Sequence, residues 1–273
     1  MRKVLGIIGS PRRMGNCELL VKDIASRLPE AAELKMVRLV ERDIRPCKAC
    51  YRCLTGECPL KDDFGAVLAA LLAADGVIVA APAYLHGTHS SIQRFLDRGL
   101  HFWRHVDALA GKPAVAVATA GMEDGEGFAL MGVENFVRAS GMTLKGRALV
   151  RAALPGEALL SEEGRAASSR LASALFSPGE SRPDGPACTE CGGTYFEFRG
   201  GNRVYCLMCG GTGTVSADGG GVRIETRPPG HTWRGPEAMK AHGEWLIGMK
   251  EKYRRERENL KAVARDRAGG EFI

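Results

Sequence analysis

No stretch of this chain offers an unbroken apolar run long enough to span a bilayer. The longest candidate, "AVLAALLAADGVIVAAPAYL" from residue 66, is interrupted by Asp75-Gly76 and Pro82, so it reads as a helix, a turn and a buried strand. The N-terminus "MRKVLGIIGSPRRMGN" has too short an apolar stretch for a signal peptide, whose core needs roughly 7 to 15 such residues. A cytoplasmic protein without membrane attachment is therefore expected. Two nucleotide fingerprints are missing as well: after the first apolar run there is neither G-x-G-x-x-G nor the Lys-Ser/Thr ending of a P-loop. Strong charge is also lacking. A net charge of +6 over 273 residues is modest, and much of the excess lies near the C-terminus, so nucleic acid is disfavoured as a partner. The hydrophobic fraction of 45% and charged fraction of 26% exclude disordered and fibrous classes. No residue stands out as a general acid or base, and none is assigned a catalytic role. His101, His105, His231 and His242 have no partner legible in the sequence.

What is present begins with a repeated grammar. "KVLGIIGS" reads as a strand, "NCELLVKDIASRL" as a helix with apolar positions 19, 20, 24 and 28 on one face, and "ELKMVRLV" as a second strand. A helix through "DDFGAVLAALLAA" leads to the strand "GVIVAAPAY", whose continuous apolar character suits burial on both faces. A helix around "SIQRFLDRGLHF", the strand "PAVAVATAG", a helix through "ALMGVENFVRAS", the strand "TLKGRALV" and a helix over about 161–175 complete the pattern. The alternation predicts an α/β fold with a doubly wound, five-stranded parallel sheet. Ligands of such sheets sit beyond the carboxyl ends of the strands. The loop "GSPRRMGNC", residues 9–17, offers Ser10, Cys17, an arginine and the N–H groups of a helix start, a set suited to one phosphate.

Nine cysteines give the second signal. Four fall in "CKACYRCLTGEC" as Cys47-x2-Cys50-x2-Cys53-x4-Cys58. Thiols in a cytosolic protein are kept reduced, and so dense a set points to metal or redox chemistry. A four-iron cluster is favoured because tight spacing lets one loop meet several iron corners, whereas zinc pairs are commonly separated by a longer loop. Zinc and free or redox-active thiols are the alternatives. Farther on, Cys188-x2-Cys191 and Cys206-x2-Cys209 flank alternating "TYFEF" and "NRVYC" segments, with glycines after each pair. This unit resembles a zinc ribbon, and a module of about 40 residues would draw its stability from the metal. Zinc is favoured there over a single rubredoxin-like iron.

"GSPRRMGN", "PAYLHGTHSSIQRFLDR" and "TAGMEDGEG" together resemble the NADPH-dependent FMN reductase family of flavodoxin-like proteins, over roughly residues 1–175. The Cys47–Cys58 run resembles the cluster motif of that family's iron–sulfur flavoprotein branch. The resemblance implies a flavin phosphate held by Ser10, Arg12, Asn16 and Cys17. It implies a flavin ring cradled by Pro82, Ala83, Tyr84, Leu85, His86 and Gly87, with Ala120 and Gly121 on its other side. Cys17 departs from the Thr or Ser of most relatives. The expected cofactors are FMN, a 4Fe-4S cluster on Cys47, Cys50, Cys53 and Cys58, and zinc or iron on Cys188, Cys191, Cys206 and Cys209. By the same resemblance the donor is NAD(P)H or ferredoxin, the acceptor a small molecule or quinone, and the protein a homo-oligomer, dimer or tetramer. An FMN reductase without a cluster and a redox-sensing nucleic-acid-binding protein are the other readings. The expected organisation is a flavin-binding domain over 1–176, a linker over 177–187, the ribbon over 188–228 and a C-terminal segment over 229–273. That last segment carries a basic helix from about 236, expected to pack on the body or on a symmetry mate rather than on an anionic partner.

Overall fold

A computed structural model describes residues 1–270 except 180–182, 233 and 268. The middle of the expected linker and the extreme C-terminus thus lie outside the described residues. The body alternates strand and helix as the sequence pattern predicts. Its elements are β1 (Arg2–Ile8), α1 (Asn16–Ser26), β2 (Ala32–Arg38), α2 (Phe64–Ala73), β3 (Gly76–Tyr84), a short β4 (Gly87–Thr88) and α3 (Ser90–Leu96). They continue with α4 (Gly99–Phe102), α5 (Val106–Leu109), β5 (Pro113–Ala120), α6 (Ala129–Ala139), β6 (Thr143–Arg151), α7 (Glu157–Leu160) and α8 (Glu162–Leu175). The strands pair in the order β2-β1-β3-β5-β6, all parallel, with β4 folded back antiparallel on the end of β3.

Strand periodicity sorts the core into two layers. Val77 and Val79 of β3 face Phe64, Leu68 and Leu71 of α2, Ile92 and Phe95 of α3, and Phe136 of α6. Ile78 and Ala80 face the opposite layer, built on Leu20, Val21 and Ile24 of α1 and Leu171 and Leu175 of α8. This is the doubly wound arrangement expected from the sequence. The single helix anticipated through residues 91–102 is instead broken between α3 and α4. The chain turns at Arg98, whose side chain is drawn inward rather than out to solvent.

Beyond residue 187 a four-stranded antiparallel sheet runs β10-β9-β8-β7, from β7 (Phe196–Phe198), β8 (Arg203–Cys206), β9 (Thr212–Asp218) and β10 (Gly221–Arg227). The sequence pattern predicted only the first hairpin. Val222, Ile224 and Thr226 of β10 do alternate with Arg223, Glu225 and Arg227, the period-2 signal of a strand, although most of both strands stays exposed. A 30-residue helix, α9 (Pro236–Arg265), closes the described chain, with Met239 and Leu246 buried and its second half projecting into solvent. Among the described residues, no helix is long and apolar enough to cross a membrane.

Candidate functional site

The carboxyl ends of β1, β3, β5 and β6 open onto one cavity of about 710 Å³, within the usual range for a small-ligand site. Ten of the twelve cofactor-binding residues expected from sequence line it: Ser10, Arg12, Asn16, Cys17, Pro82, Ala83, Tyr84, Leu85, His86 and Gly121. Gly87 and Ala120 are buried behind the wall instead. Thr119, Met122, Gly125, Ala152 and Ala153 complete the lining. Sequence reasoning missed the last two because it searched the loops after strands one, three and four, although the same edge rule names the loop after β6.

The first loop is held from behind by charge. Arg38 donates to the carbonyls of Ser10 and Arg12 at 3.2 and 3.0 Å, and to Glu18 at 2.6 Å. Glu18 also accepts from the Met14 N–H and from Lys22, each at 2.7 Å. Burial works against its charge, yet these donors hold the carboxyl down to about 2. No side chain caps α1, so its first N–H groups, beside Arg12, face the cavity end without intrahelical partners.

Asn16 works sideways. It donates to Ala152 O at 3.1 Å and accepts from the N–H groups of Gly156 and Ala158, fastening the loop after β6 to the start of α1. Cys17 meets Thr119 Oγ1 at 3.3 Å, and burial pushes its thiol up to about 11, so it serves as a neutral contact.

The opposite wall is a tight hairpin. Leu85 and His86 both adopt left-handed φ, +50° and +66°, which joins β3 to β4 by the two-residue turn that matches strand twist. His86 O accepts from Phe128 N at 2.7 Å, tying the hairpin to the loop after β5. Gly127 makes that approach possible: its φ is +50°, and a Cβ there would overlap the His86 backbone.

The Cys47–Cys58 loop lies between β2 and α2 and lines a separate small cavity with Arg98, Leu100 and His101. Ala49 and Tyr51 take left-handed φ, curling the loop on itself. Cys53 is pushed up by burial and then by the nearby sulfurs of Cys58, Cys47 and Cys50, so the four thiols share one electrostatic environment. Cys58 accepts from Arg98 at 3.3 Å and Cys47 from the Ala49 N–H at 3.4 Å. These thiols do not close onto a single-ion site, whereas sulfurs on separate iron corners of a cluster need not. Soft thiolate donors in a curled loop with N–H···S bonds fit an iron–sulfur cluster.

Cys188, Cys191, Cys206 and Cys209 do close onto one point. Their sulfurs all lie within 4.8 Å of one another, with 3.6 Å between Cys188 and Cys209 and between Cys191 and Cys206. Zn–S bonds of about 2.3 Å give a tetrahedral edge of about 3.8 Å, so the set fits a single ion. Each pair forms the same turn: Gly192 and Gly210 adopt left-handed φ, and the N–H groups of Gly193 and Gly211 point at Cys191 and Cys209 sulfurs at 3.3 and 3.4 Å. Hydrogen bonds donated by neighbouring thiols favour ionisation of one sulfur of the set. Cys191, accepting from Cys206 and then Cys209, is held far below the thiol range, while Cys206 and Cys209 are pushed up.

The ribbon docks on α6. Met131 packs against its small core, and Tyr195 Oη donates to Glu134 at 2.7 Å, where Arg147 also bonds both carboxylate oxygens at 2.9 Å. Of the histidines left without a role, two meet each other. His231 Nε2 lies 2.5 Å from His242 Nδ1, and His242 stands edge-on to Trp103.

The family model for NADPH-dependent FMN reductase matches residues 2–153. An iron-sulfur flavoprotein of Archaeoglobus fulgidus is 30% identical over 184 residues, 66% of this chain and 81% of that one. Another, from Methanocaldococcus jannaschii, is 36% identical over 98 residues, 35% of this chain and 51% of its own length. A third, from Methanosarcina thermophila, is 33% identical over 125 residues, 45% of this chain and 65% of its own. The alignments with these last two thus span about half to two thirds of the relatives' length. Among solved structures, a flavone reductase superposes with a TM-score of 0.72 at 16% identity over 99% of each chain, a likeness of fold that takes in the ribbon and the terminal helix.

Proposed function

The chain belongs to the NADPH-dependent FMN reductase family, and on that premise we propose that it is an FMN-dependent oxidoreductase with an iron–sulfur cluster on Cys47, Cys50, Cys53 and Cys58. The observation that carries the reading is the cavity at the sheet edge, which combines a helix start and a cation at one end with a largely apolar slot at the other. The start of α1 with Ser10 and Arg12 holds the phosphate. Pro82 to His86 and the Gly121–Gly125 loop flank the ring, and Asn16 keeps the loop after β6 in place beside it. Bound FMN supplies exchange of electrons in pairs or singly, which suits it to join a two-electron reductant to a one-electron centre. The protein's own contribution is placement, and no side chain is assigned proton transfer.

The donor in this reading is NAD(P)H or ferredoxin, with a small molecule or quinone as acceptor. A reducing, cytoplasmic setting belongs to this reading, because it keeps such thiols available as ligands. Cys188, Cys191, Cys206 and Cys209 hold zinc in a structural ribbon, taken as residues 188–228 beside a flavin-binding unit of 1–176. Leu85, Met122, Phe128 and Leu154, all exposed around the cavity mouth, support a homo-oligomer that covers it.

FMN, iron, sulfide and zinc content per chain after oxygen-free purification tests the reading. About one flavin, about four iron with four sulfide, and about one zinc are expected. Flavin and zinc without sulfide would leave an FMN reductase with no cluster.

A further inference from the structure

Arg98 has no place in the flavin cavity, yet it is among the most buried charges in the molecule, 4% exposed. Its Nη1 bonds Asp62 at 2.7 Å and the Arg45 carbonyl at 3.1 Å, and its Nη2 reaches Cys58 Sγ at 3.3 Å. The guanidinium carbon stands 4.4 Å over the Phe64 ring. Asp62 is equally fixed: it accepts from the N–H groups of Arg45 and Phe64, and against the cost of its burial these donors and Arg98 hold its carboxyl below the usual range. A buried guanidinium needs one carboxylate to be tolerated. Here the fork does more: Nη2, which also reaches the second Asp62 oxygen at 3.4 Å, donates to a sulfur as well.

We infer that Arg98 is a positioning residue that sets the reduction potential of the centre held by the Cys47–Cys58 loop. The inference rests on the cluster reading given above. A hydrogen bond to a ligating thiolate stabilises whichever redox state places more negative charge on sulfur, which is the reduced one. A fixed positive charge at 3.3 Å in a dry pocket acts in the same direction. Asp62, bonded by both terminal nitrogens, orients the fork, while Phe64 lies under its plane. The break between α3 and α4 places Arg98 beside the cysteine loop. Lysine at this position would pair with the buried Asp62 carboxylate and leave Cys58 without its donor, because a point charge lacks the fork that serves both.

Arg98→Lys and Arg98→Gln, prepared without oxygen, test this by redox titration, with the cluster and flavin followed separately in each sample. The expected result for Arg98→Gln is a cluster midpoint lowered by about 59 mV or more, a tenfold change in the one-electron equilibrium. The flavin midpoint should stay unchanged. If Arg98→Gln fails to retain iron, Arg98→Lys carries the test, with a smaller lowering in the same direction expected, since the charge is kept and only the bond to sulfur is lost. Full iron and sulfide content in Arg98→Lys with the wild-type cluster potential would overturn the role of Arg98. Wild-type protein without iron and sulfide would overturn the cluster reading itself, and this inference with it, so the two failures are told apart by the wild-type assay alone.

Discussion

Glu18→Gln separates the charge of the loop-bracing carboxylate from its shape. The side chain is 9% exposed and receives Arg38, Lys22 and the Met14 N–H, and its pKa falls from an ordinary 4.5 to about 2. At about 1.4 kcal/mol per pH unit this fall is worth about 3 kcal/mol. Lys22 is partly exposed, so screening reduces the expected loss in the glutamine variant to about 2 kcal/mol at pH 7. The sign follows from the lowered pKa. The carboxylate's contribution is complete above pH 4.5 and is lost as pH falls toward about 2, so roughly half of the difference should survive at pH 3. Urea unfolding of both proteins at pH 7, 4 and 3 measures it. A difference that stays constant over that range, or that is below 0.5 kcal/mol at pH 7 by the usual scale of neutral surface changes, would refute the reasoning. Because Glu18 and Arg38 together hold the Ser10–Met14 backbone, the variant should also bind FMN more weakly, which a fluorescence titration reads.

Gly127→Ala must place a Cβ on the His86 backbone at a left-handed φ, so a loss of at least about 1 to 2 kcal/mol and weaker flavin binding are expected; an unchanged flavin Kd would contradict the close approach. Tyr195→Phe removes only the donor to Glu134 and should cost about 1.5 to 3 kcal/mol, seen as a Tm lower by about 3 °C or more. Cys206→Ser should release the ribbon's metal equivalent while flavin content is kept, since the flavin cavity uses none of the ribbon's residues; retention of full metal would show that the four sulfurs are not one site.

The parallel sheet was legible because buried strands such as "GVIVAAPAY" and amphipathic helices such as α1 carry their burial pattern in the local sequence. The ribbon's metal set was legible from paired spacing, which two equal turns then realise. The same local logic misses anything assembled across the chain. Arg98 and Cys58 are 40 residues apart, Tyr195 and Glu134 are 61 apart, and Asn16 reaches 136 residues on to Ala152. Asn16 also shows how a residue expected at a phosphate is largely committed elsewhere, with both ends of its amide engaged by the loop after β6. The strands β9 and β10 were legible too, from Val222, Ile224 and Thr226 alternating with charged neighbours after a Gly-rich turn, a signal left unread beyond the second cysteine pair.

The carboxylate of Glu134 bears on how this protein can be dissected. It is wholly buried, on the helix that follows the flavin loop, and one of its donors comes from the ribbon. Cutting the chain after residue 176 would therefore do more than discard an appendage. It would strip the cover from Met131 and take the tyrosine donor from a buried anion. A shortened flavoprotein would keep the Arg147 pair but carry a buried carboxylate short of one donor, so the wound left by the cut, as well as the missing ribbon, would enter what is measured.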